Sequence, residues 1–88
     1  MLTKDEGIII AREAIELARR DIETCPKAEA RLKARAALDE AEKEQARGAA
    51  RPALAWACRS VQHSHGITSP AYAEVQAKYD VVYDSHLA

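Results

Sequence analysis

Apolar and small residues recur at Ile8, Ala11, Ile15, Ala18, Ile22 and Cys25, in alternating steps of three and four that place all six on one helical seam. Ile10, Ala14 and Leu17 widen the stripe to about half the circumference of the helix. Ile9 falls on the opposite side, among Asp5, Arg12, Glu13, Glu16 and Arg20, and is expected to be exposed. Further along, Ala30, Ala34, Ala37, Leu38 and Ala41 share one face, and Ala28, Leu32 and Ala36 share a nearly opposite one. A mostly alanine helix that is apolar on two sides is expected to lie between two close neighbours. One would be the first helix, the other either the last helix or a second subunit. Leu54, Cys58 and Val61 then repeat on an inward face. Ala71, Tyr72, Val75, Tyr79, Val82, Tyr83 and His86 gather within about a third of a final helical circle, a predicted core face.

Capping and breaking residues divide this pattern into four helices. Thr3 and Glu6 have the spacing of a capping box. Pro26 suits a first helical turn, and Gly48 suits a left-handed helix end. Pro52 and Gly66 bracket a third helix, and Ser69-Pro70 supplies an N-cap followed by proline for a fourth. The predicted helices cover about residues 4–24, 26–47, 52–65 and 69–86. The expected fold is all-α: one domain over residues 1–88, a small antiparallel helical bundle made of a long αα-hairpin followed by a shorter one. Between Gly48 and Pro52 the alternative is that the second and third helices form one kinked rod.

Composition sharpens this picture. Nineteen of the 88 residues are Ala, against sixteen Leu, Ile and Val together and no Phe. The core is therefore expected to be modest, with dimerisation as a remedy for a thin stability margin. Thirteen basic residues balance fourteen acidic ones, for a formal charge of −1. No global field draws the chain to nucleic acid or to a membrane surface. The apolar run Ile8-Ile9-Ile10-Ala11 is far too short to span a bilayer, and the first residues lack a signal-peptide profile. A cytoplasmic location is the expectation. The alanine and arginine bias fits a bacterial or phage genome of high GC content.

Candidate chemistry is sparse. Cys25 and Cys58 have no motif spacing and are expected to be free thiols. Cys25 stands beside Lys27 at a predicted helix start, a setting that can activate a thiol, although burial or capping explains it more simply. Cys58, His63, His65 and His86 do not converge at ligand spacing, so no metal site is expected. No nucleophile has a nearby base, and there is neither a glycine-rich phosphate loop nor a carboxylate pair in an apolar setting. The expectation is a protein that is not an enzyme, with no catalytic residues and no cofactor.

Trp56 is the leading binding candidate. With Leu54, Cys58 and Val61 inward, Trp56 faces outward with Arg59, Ser60 and His63. Tryptophan beside arginine is the composition of an interaction hot spot. The alternative is that Trp56 lies against the second helix and fills space its alanines leave. Ile9 is a second candidate contact. Lys27, Arg31 and Arg35 form a basic stripe, expected to be a solvated, salt-bridged face with Glu42 further along it.

The segment from Val61 to Val75, with Gly66 as its turn and Ser69 leading the next helix, resembles a helix-turn-helix. That resemblance implies a DNA-binding regulator using the third and fourth helices, with Arg51, Arg59 and Lys78 on the phosphates. The sequence departs from the motif at Gln62 and His65, and Glu74, Asp80 and Asp84 on the fourth helix would repel phosphate. The expected function is instead a non-catalytic helical interaction module, a homodimeric adaptor, regulator or inhibitor of a larger protein partner. A third reading is a structural subunit of a larger assembly.

Overall fold

A computed structural model describes the backbone of residues 2–87 and the side chains of residues 2–85. Its four helices are α1 (Lys4–Glu23), α2 (Ala28–Ala46), α3 (Ala50–His65) and α4 (Pro70–Leu87). The chain is an all-α, small helical bundle, and among the described residues there is no strand.

Local chemistry accounts for most helix ends. At α1 the Thr3 amide donates to Glu6 Oε1 at 2.9 Å and the Glu6 amide donates to Thr3 Oγ1 at 3.1 Å, closing the capping box. The Thr3 amide, and after it the Thr3 hydroxyl, also hold the Glu6 carboxyl below its ordinary pKa. At the end of α2, Gly48 has φ 81°. There the Gly48 amide donates to the Gln45 carbonyl at 3.0 Å and the Ala49 amide to the Glu44 carbonyl at 2.9 Å, a Schellman turn that requires a left-handed residue. This reversal makes α2 and α3 two separate helices, so the kinked-rod alternative is overturned. Ser69 caps α4 through the Tyr72 amide at 3.2 Å, with Pro70 at the first helical position as the sequence predicts.

Two boundaries differ from expectation. The second helix begins at Ala28, because Lys27 is an extended N-cap and Cys25, preceding proline, is disfavoured in helical conformation. The third begins at Ala50, two residues early. Pro52 thus occupies its third position, where a missing N–H still removes only a donor that has no partner within the helix.

The packing order also differs. The broadest packing is between α2 and α3, and α3 touches all three other helices. The α1–α2 contact is the narrowest, and α2 and α4 do not pack together among the described residues. The expected packing against the first helix is present, while the alternative that places the second helix beside the fourth is overturned: its neighbours are α3 and α1. Its other face, carrying Ala28, Leu32 and Ala36, is exposed.

The reason lies in residue size. A Cβ on Gly7 would sit 3.4 Å from Ala50 Cβ, so α1 and α3 approach closely where glycine meets alanine. The same two helices meet again where Ser64 bonds the Asp21 carbonyl at 3.2 Å. They run parallel, and their contact is the short diagonal of a flattened bundle measuring 39 × 25 × 16 Å. The core along this diagonal includes Ala11, Ala14, Ala18, Ala53 and Ala57, filled out by Ile15, Ile22, Leu38, Leu54, Val61 and Val75. Ile9 is 55% exposed, as expected. The predicted core face of the fourth helix buries Val75 and Val82 and half-buries Ala71, Tyr72, Tyr79 and Tyr83; the His86 side chain lies outside the described residues. Among the described residues, no helix is long and apolar enough to cross a membrane.

Candidate interaction surface

Trp56, Arg59 and His63 follow one another along α3 at steps of three and four, which aligns them on one ridge. The Arg59 guanidinium lies over the Trp56 ring at 5.2 Å from its centroid. Arg59 and His63 are exposed, whereas Trp56 is half-buried against the core cluster. Ser60 lies about 40° around the helix from Trp56, and its hydroxyl donates to the Ala34 carbonyl of α2 at 2.8 Å. Trp56 therefore stands at the α2 edge of the ridge. The expectation that Ser60 also faces outward is overturned, since it is fully buried. A side chain little larger than alanine is what the tight α2–α3 seam admits, and the helical carbonyl satisfies its hydroxyl.

Ile9 does not join this ridge. It lies about 200° around α1 from Gly7 and Ala11, and Gly7 meets α3.

α2 carries the ion pairs Glu29–Lys33 and Glu40–Lys43, but its basic stripe departs from the salt-bridged surface the sequence suggests. Lys27, Arg31 and Arg35 are exposed, and none forms an ion pair among the described residues. Glu42 turns toward α1 and meets Arg19 at 3.5 Å. Leu32, 72% exposed, sits among these unpaired cations.

A polar cluster that residue spacing does not reveal ties α1 to α3. His65 Nδ1 lies 2.9 Å from Asp21 Oδ1, and this bond raises the imidazole pKa above its ordinary value against a smaller opposing effect of burial. His65 Nε2 faces Thr24 Oγ1 at 3.4 Å. An acid, an imidazole and a hydroxyl in this order have the layout of a nucleophile-activating triad. However, the Thr24 hydroxyl donates to the Asp21 carbonyl at 2.9 Å, so its proton serves a helix cap. Cys25 Sγ donates to the Ser64 carbonyl at 3.2 Å, which makes it a buried, bonded thiol. Cys58 is also buried and free; desolvation, helped by Asp80, pushes its pKa up to about 11 and keeps it protonated. Among the described residues, no three His, Cys, Asp or Glu side chains converge to hold a metal ion.

Hydrogen-bond partners across helices are invisible to a one-dimensional pattern, so the Asp21–His65 pair carries no sequence signal. No protein-family model, no curated protein and no solved structure matches the chain significantly.

Proposed function

We propose that the chain is a non-catalytic helical interaction module, a regulator that acts as a homodimer and binds a protein partner through the Trp56–Arg59–His63 ridge. The observation that carries this reading is the stacked Arg59–Trp56 pair on the outer side of α3. Its ring is anchored at one edge in the core and its cation is held in place, so little side-chain entropy is left to lose on association. Aromatic and arginine anchors of this kind dominate binding energy at protein interfaces. Ile9 supplies a separate apolar contact on α1, and the exposed Leu32 on α2 adds apolar surface for self-association.

The arrangement favours a protein over duplex DNA as the partner. Lys78 lies 3.9 Å from Glu13, and Glu74, Asp80 and Asp84 are exposed on the same helix, so the α4 that a DNA reading needs would repel phosphate along its length. Ile67, the residue after the glycine turn, is 63% exposed.

The test is light scattering across a concentration series, with affinity capture and mass spectrometry, on the native chain and on Trp56→Ala. The expected result is a dimer mass for the native chain. Trp56→Ala should keep its helical circular dichroism yet lose captured protein. If folded Trp56→Ala retains both self-association and capture, the proposal fails.

A further inference from the structure

We infer that the cleft where the N-terminal ends of α1 and α3 meet binds an apolar carboxylate of the medium-chain fatty acid class. The cleft has a volume of about 750 Å³, within the range of small-molecule sites. Leu2, Gly7, Ala50, Tyr79 and Val82 give it apolar walls. Lys4 and Arg51 also line it, and no Asp or Glu does among the described residues.

Both cations lack an ion-pair partner among the described residues. Arg51 Nε is buried without a hydrogen-bond acceptor, and its guanidinium is fixed 4.5 Å from the Tyr83 ring centroid. Lys4 Nζ lies 3.6 Å from where a Cβ on Gly48 would be, so the ammonium borders the same turn that leads to Arg51. That turn opens α3 with Ala49, which offers no side-chain cap, and the first turn contains no acidic residue. The amides of Ala50 and Arg51 accordingly have no backbone acceptor among the described residues.

These features specify the ligand by exclusion. An inorganic anion would leave the apolar walls wet, and a neutral lipid would leave both cations without a counter-charge. A carboxylate head matches the guanidinium fork and the ammonium, while a hydrocarbon tail of modest length covers Leu2, Tyr79 and Val82. The site is separate from the Trp56 ridge, since Arg51 reaches α4 through Tyr83 and Trp56 lies on the α2 side of α3.

Isothermal titration calorimetry of the full chain with octanoate below its critical micelle concentration tests this, with 1-octanol and acetate as controls. Octanoate is expected to bind, acetate to give no heat, and octanol to bind at least about tenfold more weakly for want of charge-assisted hydrogen bonds. Ala55→Glu places a carboxylate at an exposed position lining the cleft. It should weaken octanoate binding at least about tenfold while leaving the helical signal intact, and Arg51→Gln should do the same. Absence of octanoate binding, equal affinity for octanol, or unchanged affinity in folded Ala55→Glu would each overturn the inference.

Discussion

The two ends of the α1–α3 pair solve the same packing problem in opposite ways. At one end Asp21, Thr24, Cys25, Ser64 and His65 bond across the helices, through contacts of 2.9 to 3.4 Å. At the other, Gly7 lies against Ala50, and the cations Lys4 and Arg51 border a cleft that no acid lines among the described residues. The first end bonds its polar groups to one another, with Asp21 Oδ2 left as a buried oxygen without a donor among the described residues, and fixes the register of two parallel helices. The second brings backbones together by removing side-chain volume, which leaves its charged groups uncommitted. A polar network consumes most of its own hydrogen-bonding capacity, whereas a small-residue contact leaves space beside it.

Disturbing the close approach gives the largest expected effect. Gly7→Leu forces atoms into a gap where even a Cβ stands 3.4 Å from Ala50 Cβ, and should destabilise the chain by about 2–3 kcal/mol in urea unfolding. Gly7→Ala, which places only that Cβ, should instead stabilise it by about 0.5–1 kcal/mol through helix propensity. Equal destabilisation by both would mean that α1 and α3 have no room to accept a methyl group, and the account of this end would be wrong.

A smaller effect is expected at the bonded end, and it depends on pH. The folded-state pKa of His65 is raised by Asp21, so protonation favours the fold. The stabilisation is fully present below the unfolded value of about 6.5 and is lost as pH rises through the folded value. Asp21→Asn should therefore lose stability relative to the native chain in mildly acidic solution and little above neutrality. Paired urea titrations at the two pH values measure this, and a deficit that grows as pH rises would refute the assignment.

Lys4→Gln should have the smallest effect, within about 0.5 kcal/mol, because an exposed cation without a partner contributes little to folding. A loss above about 1 kcal/mol in the same unfolding assay would show that Lys4 holds the turn at Gly48 together, and that the two ends are less different than their geometry indicates.

Much of the fold was legible along the chain because its signals are local. The capping box at Thr3, the left-handed turn at Gly48 and the Ser69-Pro70 start are short-range backbone requirements, met by a few residue types. The inward seam of α1 and the exposure of Ile9 follow from periodicity alone. Ser60 was misread because a serine in an alanine-rich helix has no preferred side until a neighbour offers an acceptor. The basic stripe was misread for a related reason: i,i+4 spacing counts nearby acids but does not reveal that Glu42 turns across to Arg19. Trp56, Arg59 and His63 were legible as a ridge, but the anchoring of the ring beside α2 depends on how closely two helices pack.

The sequence by itself determined four helices, where they stop and which face of each is apolar. These follow from hydrogen bonds and steric limits within a few residues of one another. Only the tertiary structure decided that α3 is central, that α1 and α3 meet across the short diagonal, and that a polar cluster closes one end while a cationic cleft opens the other. Alanine is permissive on any helix face, so its periodicity does not select a partner. The choice falls to three-dimensional fit, where Gly7 finds Ala50 and Ser60 finds the Ala34 carbonyl.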